Sequence, residues 1–176
     1  MLSYCHCERS AAIPTGNERT SLFIMEITKT CAFTGHREME ENFDTARFKD
    51  VLSEMIKEGY TTFLCGMAVG FDLFAAQVVL ELKESFKQIK LIACVPCKGQ
   101  EKYFSAEDKQ KYCKILKRCD EVKTLSDRYY RGCMLARDRY MVDNSSLLIA
   151  YRRVNAGGTY YTLKYALTQN KRIWLV

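Results

Sequence analysis

The sequence predicts an α/β protein: a three-layer, Rossmann-like, doubly wound and mainly parallel sheet of about six strands, with helices on both faces. Short apolar runs alternate with longer segments whose apolar residues recur at helical spacing. Six such runs and five such segments fit between Lys29 and Val176. Helical segments between strands require crossovers, which favour parallel pairing and a fixed right hand.

The first run, residues 30–34, stops at Gly35 and is followed by His36 and Arg37. Phe48, Leu52, Met55 and Ile56 line one face of the first helix, which ends at Gly59, a residue type suited to a helix C-terminus. Residues 61–65 form the second strand. Gly66 and Gly70 then frame a loop before a helix that starts near Phe71 and carries Leu73, Phe74, Gln77, Val78 and Leu82. Residues 89–95 form the third strand. Ser105-Ala-Glu-Asp108 opens the third helix as a variant capping box with Asp in place of Glu. Residues 121–125 and 147–151 are the fourth and fifth strands, separated by a helix over 134–143. A last helix over 159–169 leads into the sixth strand, 172–176.

Bulk composition narrows the partners. The chain has 27 basic and 21 acidic residues, a net charge of +6, with the cations scattered rather than run together. A mild positive balance suits anionic small ligands, and no basic stripe with interleaved aromatics stands out, so nucleic acid is not the expected partner. Nine cysteines without a secretory signal read as reduced thiols, which places the chain in the cytoplasm. No apolar run approaches the ~20 residues of a membrane-spanning helix. Residues 1–24 lack sustained periodicity and are expected to be an N-terminal extension outside the fold, leaving 25–176 as one domain. Cys5-His6-Cys7 is too compressed to converge on one ion, and no metal site is expected.

Ligands of open α/β sheets bind beyond the carboxyl ends of the strands. Three junctions there carry glycine. They are Thr34-Gly35-His36-Arg37, the Gly66–Gly70 loop ending at Asp72, and Asn155-Ala-Gly157-Gly158-Thr159. The second and third run into helices, whose free N–H groups attract phosphate. His36 is either a donor to a ligand or a turn residue. Arg37 offers a forked donor to phosphate or carboxylate. Asp72 either complements its helix N-terminus or accepts from a ribose hydroxyl. In the fourth helix, Arg139 and Asp143 stand one turn apart, as a surface ion pair or as part of the site. Cys94-Val-Pro-Cys97 does not open a helix in the manner of a redox pair, and is expected to be inert.

The motifs "TGHR", "CGMAVGFDLFAAQ", "ARDRYMVDNSSLLIAY" and "AGGTYYTLKYA", in this order, resemble the YpsA-like family of the SLOG (Smf/DprA–LOG) Rossmannoid superfamily. The resemblance covers Lys29 to Val176. It implies a nucleotide or nucleotide-derived ligand at the strand ends. By motif match the contacts would be Gly35, His36, Arg37, Gly66, Gly70, Asp72, Arg137, Arg139, Asp143, Gly157, Gly158 and Thr159. Superfamily members that cleave a base–ribose bond carry an acidic residue after a glycine-rich loop; here Tyr160, Tyr161 and Thr162 follow Thr159. That departure favours a sensor or regulatory module over a hydrolase, in which Asp72, Arg137 or Asp143 would be the catalytic candidates. The expected partners are a nucleotide-like small molecule and a second copy of the chain, with no separate cofactor and no membrane.

Overall fold

All six apolar runs form strands, and the strands pair in one parallel sheet. The structure, a computed structural model, describes residues 26–176; the expected extension, with Cys5-His6-Cys7, lies outside the described residues. The elements follow in order: β1 (Thr30–Gly35), α1 (Thr45–Lys57), β2 (Thr62–Cys65), α2 (Phe71–Ser85), β3 (Lys90–Val95), α3 (Ala106–Arg118), β4 (Glu121–Thr124), α4 (Cys133–Asp143), β5 (Leu147–Tyr151), α5 (Gly157–Thr168) and β6 (Arg172–Leu175). A short 3-10 turn, Gln100–Tyr103, lies between β3 and α3.

The strand order is β4-β3-β2-β1-β5-β6, every pair parallel. The chain moves outward from β1 to β4, then crosses back to lay β5 against the other side of β1, with Gly35 opposite Tyr151. The β1/β5 boundary is therefore where the order reverses, the place at which such sheets open a crevice at their carboxyl edge.

Alternation along the buried strands divides the core in two. Phe33 and Phe63 face α1 and α2, where they join Phe48, Leu52 and Phe71 in one cluster. Phe33 and Phe63 stack with centroids 6.0 Å apart, and Phe48 meets Phe71 edge-on at 5.6 Å, arrangements that add to burial. Ala32, Leu64 and Leu148 face the other way, against Met141 and Val142 of α4 and Leu163 of α5.

The helix ends have local causes. Asp44 accepts from the Arg47 N–H at 2.9 Å and starts α1, and Gly59, at φ +106°, terminates it. Ser105 accepts from the Asp108 N–H at 3.1 Å and donates to its carboxylate at 2.7 Å, starting α3. The start of α5 differs from expectation by two residues: the helix begins at Gly157, so Gly157, Gly158 and Thr159 form its first turn. The outermost strand β4 is exposed along its length, consistent with its edge position.

Candidate functional site

A cleft of about 530 Å³ opens where the reversal of strand order predicts it. His36 and Arg37 reach it from the β1 loop, Gln100 and Tyr103 from the turn after β3, and Gly158 and Thr159 from α5. A neighbouring hollow of about 300 Å³, floored by Leu73 and Phe74, shares Arg37 and Asp108 with it.

The floor is built around Gly66. A Cβ there would stand 2.2 Å from Arg137 Nη1 and 2.7 Å from an Asp72 carboxylate oxygen, so only glycine lets these side chains close over the end of β2. Arg137 is 5% exposed; its Nη1 donates to the Gly66 carbonyl, and its Nε donates to the Asp138 carboxylate at 2.7 Å. Asp72, 4% exposed, accepts from the Ala68 N–H at 3.3 Å. Burial pushes the Asp72 carboxyl up to about 7; Arg137 opposes this and Asp138 adds to it. Burial works against the Arg137 charge as well, but Asp138 and Asp72 outweigh it and raise its pKa. One guanidinium thus serves two carboxyls, and Asp138 has the direct bond.

Between these groups Met67 holds φ +58° although it is fully buried. A non-glycine residue in the left-handed region costs about 1–2 kcal/mol, and the Gln100 amide helps to hold it there. Its Nε2 donates to the Gly66 carbonyl at 3.2 Å and to the Met67 carbonyl at 3.1 Å.

The sequence-derived candidates fall into separate groups. Gly35, His36, Arg37, Asp72, Arg137, Gly158 and Thr159 line the cleft. His36 Nε2 accepts from the Val154 N–H at 3.1 Å, so the ring clasps the loop after β5. Gly70 lies at the neck of the smaller hollow, where a Cβ would meet the Arg37 carbonyl at 2.1 Å. At Gly35 the corresponding space is filled by Phe71. The side-chain space at Gly157 and Gly158 is open.

Arg139 and Asp143 lie away from the cleft and are not paired with each other. Arg139 donates to the Tyr161 hydroxyl and covers the Tyr161 and Tyr165 rings at 5.3 and 5.6 Å. Asp143 accepts from the Tyr165 hydroxyl at 2.9 Å. Their i, i+4 spacing is overridden because α5 packs beside α4 and offers tyrosines at closer range.

Gln100 and Asp138 were not singled out from sequence. Asp138 adjoins Arg137, and a polar residue one past Gly99 at a strand's carboxyl end was the available signal for Gln100. The two thiols of Cys94-Val-Pro-Cys97 do not face each other. Cys94 packs against the α4–α5 layer, while the free Cys97 thiol lies beside that of Cys133 at the start of α4. Burial first, and Cys133 second, push the Cys97 thiol up. Among the described residues, no three His, Cys, Asp or Glu side chains gather as a metal site, and no helix is long and apolar enough to cross a membrane.

Known proteins share this Rossmann-like sheet. DNA processing protein A of Helicobacter pylori, described for its single-stranded DNA binding mode, superposes with a TM-score of 0.60 at 16% identity over 83% of this chain and 64% of that one. DNA processing protein A of Streptococcus pneumoniae gives 0.57 at 16% identity over 84% of this chain and 50% of that one. Residues 31–175 match the YspA SLOG family (YpsA), and the chain belongs to it. It is 32% identical over 122 residues to a UPF0398 protein of Halalkalibacterium halodurans, across 68% of this chain and 65% of that protein, so it spans just under two thirds of that relative's length. An uncharacterized SPbeta prophage-derived protein of Bacillus subtilis, YoqJ, is 31% identical over 129 residues, 66% of this chain and 75% of that protein.

Proposed function

We propose that the chain binds a nucleotide or nucleotide-derived small molecule in the strand-end cleft and acts as a sensor or regulatory module. One observation carries the reading: the cleft is lined by groups of opposite hydrogen-bonding character. Arg37 and the first turn of α5, whose N–H groups have no intrahelical acceptor and no side-chain cap, are donors. The Asp72 carboxyl and the buried Gln100 amide oxygen are acceptors. An anionic group suits the first set and a hydrogen-bond donor the second, and a nucleotide carries both.

The first turn of α5 contains no acidic residue, and base–ribose cleavage is ordinarily assisted by a placed carboxylate. Binding without turnover is therefore favoured over hydrolysis. The test is thermal unfolding of the full chain with AMP, ADP-ribose, NAD and cyclic dinucleotides. A ligand at 100 times its Kd adds about 2.7 kcal/mol, or roughly 5–10 °C for a chain of this size. No shift with any of them would overturn the reading, and conversion of a bound ligand, seen by chromatography, would replace sensor by enzyme.

A second reading, single-stranded nucleic acid, rests on Tyr103 at the cleft and on the loop after β4. Tyr103 is 88% exposed, and Tyr129 is 70% exposed on the loop after β4. Lys102 lies 5.4 Å from the Tyr103 ring, and Arg128 and Arg131 have no ion-pair partner among the described residues. Aromatic faces set among cations suit stacked bases and phosphates, and the Helicobacter pylori neighbour binds single-stranded DNA. Anisotropy of a fluorescent oligothymidylate decides this one: affinity that falls steeply with salt supports it, and no binding at low salt removes it.

A further inference from the structure

Gln100 presents a buried acceptor with no partner. Its side-chain oxygen, Oε1, is the one buried side-chain nitrogen or oxygen among the described residues that makes no hydrogen bond. The residue is only 8% exposed and lines the cleft. The orientation of the amide is fixed by its neighbours. Nε2 donates to the carbonyls of Gly66 and Met67, and rotating the amide by a half-turn would set Oε1 against those two oxygens. Buried acceptors are rarely left unmade, because the lost hydration is not returned.

Carboxyls predominate in the surroundings. Asp72, on the other side of the Gly66–Gly70 loop, carries a buried carboxyl, and the Asp138 carboxylate is already held by Arg137. Asp108, at the edge of the same cleft, is engaged by the Ser105 hydroxyl at 2.7 Å. The one guanidinium here, Arg137, is set against two carboxyls, Asp138, to which it donates, and Asp72. This part of the cleft therefore offers a phosphate no surplus positive charge, and a neutral group bearing O–H donors complements it. On a nucleotide whose phosphate lies at Arg37 and α5, the neutral group with adjacent O–H donors is the ribose diol.

We propose that Gln100 determines specificity by accepting a hydrogen bond from a ribose hydroxyl, so that the cleft takes ribonucleotides in preference to their deoxy forms. This deepens the small-molecule reading above and rests on it. A site built around a hydroxyl discriminates strongly against an analogue that lacks it, because its own acceptor is left unpaired.

The experiment is calorimetric titration of the full chain with AMP, 2′-deoxy-AMP and 3′-deoxy-AMP, repeated with Gln100→Met and with Gln100→Asn, which retracts the amide but keeps it polar. The readout is the ratio of affinities within each protein, because a general loosening of the site weakens all three ligands together. Wild-type protein is expected to favour AMP over at least one deoxy form by about tenfold or more, and both variants to bring that ratio near one. Equal wild-type affinity for all three overturns the inference and leaves the small-molecule reading standing. A wild-type preference that survives in the variants removes Gln100 as its source. Binding of none of the three, with ADP-ribose also silent, overturns the inference together with the reading on which it rests.

Discussion

Replacing Asp72 by Asn tests the electrostatics of the cleft floor. The Asp72 carboxyl has a pKa of about 7 in the folded chain against an ordinary value of 3.8, with burial as the main cause. The native state therefore holds a proton that the unfolded chain has released over the range between those values. Stability must fall as pH rises through this window, by about 1.4 kcal/mol per pH unit at most, a ceiling of about 4 kcal/mol across it. Below the window both states are protonated, and above it both are ionised, so the Asp72 contribution is flat at either end. Asn keeps the size and the acceptor for the Ala68 N–H but cannot ionise. Asp72→Asn should match wild type near pH 4 and exceed it increasingly towards pH 8. Arg137 and Asp138 on α4 and the Ala68 N–H are the groups that act on Asp72, and all three remain in the variant. Urea unfolding of both proteins at several pH values gives the difference directly. Parallel stability curves would mean that Asp72 is not held neutral, and would refute the account of the floor as one cation shared unequally between two carboxyls.

Three further perturbations bear on the same architecture. Gly66→Ala puts a methyl against the Arg137 guanidinium and the Asp72 carboxylate; chemical denaturation should show a loss of about 1–3 kcal/mol, and a neutral result would show that the floor yields easily. Arg37→Ala should weaken binding of an anionic ligand by about 1.5–3 kcal/mol in calorimetry with little change in Tm, because Arg37 is exposed and supports no core residue; unchanged affinity removes it from the site. Cys97→Ser exchanges a buried thiol beside Cys133 for a hydroxyl and should cost about 1–2 kcal/mol of stability without loss of ligand binding, whereas selective loss of binding would give that thiol a role in the cleft.

The fold was legible because most of its strands are buried on both faces and so appear as continuous apolar runs. The runs at 61–65 and 147–151 coincide with β2 and β5 to within a residue. Strand β4 could be placed although all four of its residues are exposed, because Val122 and the neighbouring helices restricted its position. The start of α5 was less readable. Glycine at 157 and 158 weakens helical propensity, yet the helix runs back through both without a side-chain cap.

Much of the cleft was legible from the rule that parallel strands present their carboxyl ends together, but its chemistry was not. Gly66, Asp72, Gln100 and Arg137 lie on four different segments, and the bond from Arg137 to the Gly66 carbonyl spans 71 residues of sequence. Local spacing carries no record of such a contact. It also misleads at its most suggestive point: Arg139 and Asp143 are one helical turn apart, yet each is satisfied by a tyrosine 22 residues further on. The same glycine letter has opposite meanings in the two loops. At Gly66 the missing Cβ is filled by the protein's own charged side chains, and at Gly158 it faces open space. A glycine-rich strand end therefore identifies where backbone and side chains must approach closely. Whether the approaching group is a ligand or the protein itself depends on packing from distant segments, and here that packing leaves the α5 turn open and the Gly66 loop closed.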